Sequence, residues 1–256
     1  MSTFTKKSLM LAFFPCLVLT MLLSSFVTLD KSTVTSENGV AVVELFTSQG
    51  CSSCPSADKN LSELIKSNND GKVFGLSFHV SYWNYLGWKD PYSKEDFTAR
   101  QRKYASKFAN GTIYTPQMIV NGTSEFVGSN QAKSKQVIRS ALSKKVVHHI
   151  DVRLKVAGDQ LQIEYDLQGE YDDYLVNLAL VERNLRTKIL RGENRHKTLN
   201  YDNVVRAFST QQATASGLHE LPIPADLNFS NASVILYTQR KSSLEITGAS
   251  VVDLPL

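Results

Sequence analysis

Val40–Asp58 reads VAVVELFTSQGCSSCPSAD. The apolar, β-branched run Val40–Thr47 predicts a strand. Ser48, Gln49 and Gly50 predict a turn. The turn delivers Cys51 and Cys54 to the start of a helix, with Pro55 in its first turn, where a missing N–H is tolerated. Unpaired backbone N–H groups and the macrodipole favour negative charge at a helix N-terminus. A thiolate is the reactive form of cysteine, and such a site lowers its pKa from about 8.5 to roughly 3.5–7.5. Cys51 is expected to be an exposed nucleophile and Cys54, one turn further in, to resolve the mixed disulfide.

Upstream, Lys6 and Lys7 precede the uncharged run Leu9–Val27. A basic start followed by an apolar core predicts an export signal. The protein is then periplasmic or extracellular, and anchored to a membrane only if the signal stays uncleaved. Cys16 would leave with the signal, so Cys51 and Cys54 would be the two remaining thiols. Export implies an oxidising compartment, where a structural disulfide is the plain alternative to a redox one. Chain entropy weighs against that alternative, because a loop this short gains only about 2 kcal/mol.

Downstream, Ala57, Leu61, Leu64 and Ile65 recur at helical spacing, which carries the first helix to about Lys66. Lys72–Val80 reads as a buried strand parallel to the first, giving a strand–helix–strand crossover. SYWNYLGWKDPYS, residues 81–93, follows it at the end of the sheet where α/β ligand sites are built. Trp83 and Trp88 there line a substrate rim or form a hydrophobic plug over the sheet edge. Residues 94–109 predict a helix. Met118–Val120 and Glu125–Val127 predict short strands around an Asn121-Gly122 hairpin turn. Asn130–Lys144 predicts a third helix. From Val146 the period changes to strict alternation, and about seven short strands predict an antiparallel β-sandwich. The expected organisation is a leader, 1–36; an α/β domain, 37–146; and a β-sandwich domain, 147–256.

Several motifs in one order make a specific pattern: ELFTSQGCSSCPSAD, FHVSYWNYLGWKDPYS, FTARQRKYA, YTPQMIVNG and RGENRHKTLNYDNVVR. Together they resemble an uncharacterised family of exported bacterial proteins, a domain of unknown function with a thioredoxin-like N-terminal domain. The resemblance implies a thioredoxin-like domain followed by the β-sandwich. It matches Cys51 to the attacking cysteine, Cys54 to the resolving one, and Thr115-Pro116 to the cis-proline turn that lies against the pair and receives an extended substrate. The buried acid that such proteins carry on their first strand matches Glu44, one residue further from the cysteines than usual.

Three residue readings stay open on sequence alone. Glu44 is a proton handler or a salt-bridged strand residue. His79, ending the second strand, is a proton shuttle beside the substrate, a third ligand for a soft metal, or a half-buried histidine with a backbone partner. Residues 192–206 cover the redox site, bind a partner, or merely connect. The histidines of the second half are scattered and make no metal site.

The function expected is thiol–disulfide exchange by a Cys51/Cys54 pair, bridged as a disulfide when oxidised. Partners would be protein or small-molecule thiols and disulfides, together with a redox partner; no cofactor is called for. A copper-binding module and a non-catalytic partner-binding scaffold are the alternatives. The net charge of +4 comes from scattered Lys and Arg, which gives no nucleic-acid surface.

Overall fold

The structure, a computed structural model, describes residue 1 and residues 39–67, 70–109 and 111–254. The apolar run after Lys7, with Cys16 and the proposed leader, lies outside the described residues.

The first half runs β1 (Ala41–Thr47), α1 (Pro55–Lys66), β2 (Val73–His79), α2 (Glu95–Ala105), β3 (Gln117–Val120), β4 (Ser124–Val127), α3 (Gln131–Leu142). Side chains alternate across a strand, and β1 uses both faces. Val43 and Leu45 pack with Ala57, Leu61 and Leu64 of α1. Val42 and Phe46 pack on the opposite face with Phe97 and Tyr104 of α2. Gly75 of β2 lies directly beneath α1: a Cβ there would stand 2.6 Å from the Ile65 side chain. On α3, the Asn130 side chain accepts from Lys133 N–H at 3.0 Å as the cap.

The second half is all strand apart from one short 3-10 turn: β5 (His149–Ala157), β6 (Gln160–Gln168), β7 (Tyr174–Glu182), β8 (Leu185–Lys188), β9 (Thr198–Tyr201), β10 (Val204–Gln212), β11 (Ser216–Pro222), β12 (Ala232–Arg240) and β13 (Ile246–Asp253). The alternation read from the sequence is present in β5 and β6, whose inward residues Val152, Leu154, Leu161 and Ile163 are buried.

The expected architecture, a thioredoxin-like domain followed by a separate β-sandwich, is not what forms. Strands from both halves build one eight-stranded mixed sheet in the order β13-β12-β7-β10-β2-β1-β3-β4. The seam is β2 against β10, parallel, with Val204 opposite Ser77. Ser77 N–H donates to Asn203 O at 2.9 Å, and Asn203 Nδ2 donates to Gly75 O at 2.9 Å. A core crosses the seam: Phe46, Phe78, Phe97 and Tyr104 pack with Ala179, Val181, Ile235 and Tyr237. The physical reason lies in β2. VFGLSFH is buried on both faces, and β1 pairs along one side of it only. Left as an edge it would be a template for aggregation, so a second strand must cover it. The three-stranded sheet β11-β6-β5 closes the opposite face of β7 and β12.

The Asn121-Gly122 turn also reaches the second half. Ile246 N–H donates to Asn121 O at 3.0 Å. The Asn121 side chain bridges β1, accepting from Val42 N–H at 2.7 Å and donating to Val40 O at 2.8 Å.

Candidate functional site

Cys51 and Cys54 form a disulfide with Cα atoms 5.5 Å apart, at the entrance to α1. Cys54 is the N-cap residue and Pro55 opens the helix. The turn is closed by backbone bonds from Cys51 N–H to Ser48 O (3.2 Å) and from Cys54 N–H to Cys51 O (3.3 Å). The expected exposed nucleophile is absent: both cysteines are 0% exposed.

What buries them comes from the far half of the chain. β8 and β9 pair as a two-stranded hairpin arm. The loop at its tip lies over the disulfide. Asn194, itself fully buried, donates its carboxamide to Cys51 O at 2.8 Å and to Gln49 O at 3.0 Å. Ser52 N–H donates to the Glu193 carboxylate at 3.1 Å. Gln49 ties the same turn to the arm and to the aromatic loop. Its Nε2 donates to Thr187 Oγ1 (3.2 Å), and its Oε1 accepts from Trp88 Nε1 (3.0 Å).

The two tryptophans thus brace the cysteine turn. Trp83 lies against Gly50, where an added Cβ would meet the Trp83 Cβ at 3.2 Å, and Trp83 Nε1 donates to Thr115 Oγ1 at 2.8 Å. Thr115-Pro116 is a cis peptide, and Gly128 N–H donates to Pro116 O at 2.9 Å. Trp83 therefore bridges the cysteine turn and the Thr115-Pro116 segment. Trp88 packs with Ile189, Leu199 and Tyr201 of the arm and with Val204 of β10, so it serves as part of the cover.

Glu44 stands elsewhere. Thr47 and His79 lie opposite one another in the β1–β2 register, on the parity of Val43 and Leu45 that faces α1. Glu44 has the other parity. Its carboxylate, fully buried, accepts from Arg100 Nη2 (2.7 Å), Arg100 Nε (2.9 Å), Tyr237 OH (2.6 Å) and Tyr104 OH. It is a hub joining β1, α2 and β12 on the face away from the disulfide helix.

On the disulfide side the acid is Asp58, four residues after Cys54. Asp58 N–H donates to Cys54 O at 3.0 Å. Residues four apart share a helix face, which puts Asp58 on the Cys54 side of α1. Asp58 is buried, and neither carboxyl oxygen has a hydrogen bond. Burial pushes its pKa up to about 7, with His79 and Thr47 partly opposing and Asp90 adding to the rise.

His79 faces the same space. Its Nδ1 is 2.7 Å from Asp90 Oδ2, while its Nε2 is buried and unpartnered. Burial disfavours the charged ring, but the Asp90 carboxylate, its hydrogen bond and Asp58 outweigh this and raise the His79 pKa. Asp90 is held in turn by Gln49 N–H (2.9 Å) and Tyr92 N–H (3.0 Å). Burial works against its ionised form, yet His79 and those two amides hold its carboxyl below the usual range. The Tyr201 ring stands edge-on to His79, centroids 5.0 Å apart. Thr47 Oγ1 and Tyr201 OH are also buried without hydrogen bonds. The cysteine turn therefore rests on an internal polar cluster rather than on plain hydrocarbon. Among the described residues no group of three His, Cys, Asp or Glu side chains is disposed to hold a metal ion.

Asp58, Asp90, Gln49 and Asn194 were not singled out from the sequence. Asp58 had a signal: an acid one turn after Cys54, beside the apolar face Ala57-Leu61-Leu64. Asn194, 143 residues from Cys51, fell within residues 192–206, one of whose readings was a cover for the cysteines, but nothing marked that residue itself.

The family model for a protein of unknown function, DUF1223, matches residues 42–239. The chain belongs to the DUF1223 family. This DUF1223 protein is also similar to a protein of known crystal structure, AGR_C_4864 from Agrobacterium tumefaciens. The two are 30% identical, the match covers 85% of this chain and 96% of that one, and the TM-score is 0.62. A second solved structure, HBP35 of Porphyromonas gingivalis, shares the fold at 13% identity and a TM-score of 0.61, over 86% of this chain and 76% of that one. No curated protein matches the chain.

Proposed function

We propose that this DUF1223 protein is an exported thiol–disulfide exchange protein whose Cys51–Cys54 pair is redox-active. The observation that carries the reading is the unpaired, buried carboxyl of Asp58 one helical turn behind Cys54. A purely structural clip has no use for a proton acceptor at that place, and an unsatisfied buried carboxylate is costly. The uncharged run after Lys6 and Lys7 supports an oxidising compartment for the pair.

In the reduced form, the Cys51 thiolate attacks a substrate disulfide R–S–S–R. One RS⁻ leaves and the mixed disulfide Cys51–S–S–R forms. The Cys54 thiol then gives its proton to the Asp58 carboxylate, and the resulting thiolate attacks the Cys51 sulfur. The Cys51–Cys54 bond forms, the bond from Cys51 to the substrate breaks, and the second RS⁻ leaves and is protonated by solvent. Two protein thiols are oxidised and one substrate disulfide is reduced; run backwards, substrate dithiols are oxidised. His79, oriented by Asp90, stabilises the Asp58 carboxylate that accepts this proton.

The test is trapping. Cys54→Ser, made with its N-terminal segment in cells that produce the protein, should accumulate covalent adducts through Cys51 that reductant releases. Cys51→Ser/Cys54→Ser should accumulate none. An empty Cys54→Ser trap, together with a pair that fails to exchange with glutathione, would reduce the disulfide to a structural clip.

A further inference from the structure

We propose that the arm-tip loop, Ile189 to Lys197, is an internal plug. It occupies the backbone groups of the cysteine turn that a substrate polypeptide would otherwise engage, and it must lift before the disulfide can react. This rests on the redox reading of the pair.

The loop makes the contacts expected of a bound chain segment. Its Asn194 carboxamide donates to two main-chain carbonyls, Gln49 O and Cys51 O, and its Glu193 carboxylate accepts from Ser52 N–H between the two cysteines. Those three groups belong to the turn that carries Cys51. An incoming polypeptide carries the same chemistry in its amide N–H, carbonyl and side-chain carboxylate groups, so it can take over these bonds one for one. While the loop sits there, the cysteines have no exposed surface.

The loop is also built to leave as a unit. It closes on itself through Ile189 N–H to Lys197 O (2.9 Å), His196 N–H to Ile189 O (2.9 Å) and Arg195 N–H to Gly192 O (3.1 Å). Those bonds need not break when the loop lifts. Gly192 and His196 both adopt left-handed backbone, at φ 76° and 70°. Arg191, Glu193, Arg195, His196 and Lys197 are exposed, and Asn194 is the one buried residue between Leu190 and Thr198. Segments held by few buried apolar contacts open at low cost. Beyond Ile189 at its base the loop lacks a hydrophobic anchor, and its grip on the turn is three hydrogen bonds.

The test measures access rather than turnover. The oxidised full chain is mixed with excess dithiothreitol under native conditions, and free Cys51 and Cys54 are alkylated and counted by mass over time. Asn194→Ala should speed reduction of the Cys51–Cys54 bond about ten-fold, and Glu193→Gln, a surface change that leaves the core intact, about three-fold. The reduction potential of the pair should move little, because a gate changes rates in both directions. Unchanged reduction rates in both variants would overturn the plug. Should Asn194→Ala fail to fold, Glu193→Gln decides alone, read together with hydrogen exchange of Ser52 N–H, which must quicken. The reduction of a protein disulfide by the opened variant bears only on the redox reading, so the two ideas fail separately.

Discussion

Asp58 follows Cys54 by one turn of α1, and its backbone N–H is bonded to the Cys54 carbonyl at 3.0 Å. Cys54 and a buried acid are therefore carried on one helix start, and cannot drift apart without unwinding it.

This relationship has a pH signature in resolution. If the proposed exchange holds, resolution of a mixed disulfide needs Asp58 ionised, and the rate should rise as pH passes through about 7. Asp58→Asn should lose that rise and resolve about ten- to a hundred-fold more slowly near neutrality. Stopped-flow release of a chromogenic thiol from a Cys51 mixed disulfide would measure it; an unaltered pH profile in the variant would remove Asp58 from the chemistry.

The same carboxyl shapes stability. Burial raises the Asp58 pKa from 3.8 to about 7, so between those values the folded protein holds a proton the unfolded chain has released. Stability must then fall as pH rises across that window, with no penalty below it and the full penalty above. The raised His79 pKa acts in the same direction, its contribution present at low pH and lost as pH passes its folded value. Asp58→Asn should flatten the curve and stabilise the protein at pH 8 by a few kcal/mol, because each pH unit between the unfolded and folded pKa is worth about 1.4 kcal/mol. Urea unfolding at several pH values gives the comparison.

Glu44 makes the contrasting case. Glu44→Ala leaves Arg100 buried among Tyr104, Tyr237 and Gln239 with no carboxylate. The loss should be about 3–5 kcal/mol, with the exchange rate of any folded Cys51–Cys54 pair nearly unaltered. A selective loss of exchange at full stability would return Glu44 to the reaction.

Gly122 tests the union of the two halves. A Cβ there would lie 1.8 Å from Leu244 O, and the residue has φ 70°. Gly122→Ala should cost several kcal/mol, through the clash and the left-handed backbone together. The fragment 39–146 should not fold alone, because removing β10 bares β2 and removing Tyr237 strips the Glu44 hub. Circular dichroism of the fragment, and a single unfolding transition for the whole chain, are the expected results. A cooperative transition in the isolated fragment would count against this view.

Most local structure was legible. Strand parity, the helix from Pro55 to Lys66 and the Asn121-Gly122 turn follow from periodicity and turn chemistry, which act over a few residues. Glu44 drew attention as the strand acid of the resemblance, but its parity on β1 sends it to the α2 face, where it pairs with Arg100 as the salt-bridged alternative had it.

The sequence by itself determined the disulfide's setting: a strand, a turn and a helix start that present Cys51 and Cys54 together, with Asp58 one turn on. Only the tertiary structure decided that β10 would complete the sheet beside β2, so that strands of both halves share one sheet. It also decided that Asn194 would close over Cys51. Periodicity records which face of an element is buried, but not which distant element buries it. Val204 and Ser77, or Asn194 and Cys51, meet across more than a hundred residues because an apolar strand edge and a polar turn each require a partner. Any of several segments could have satisfied that requirement, and global packing selects one.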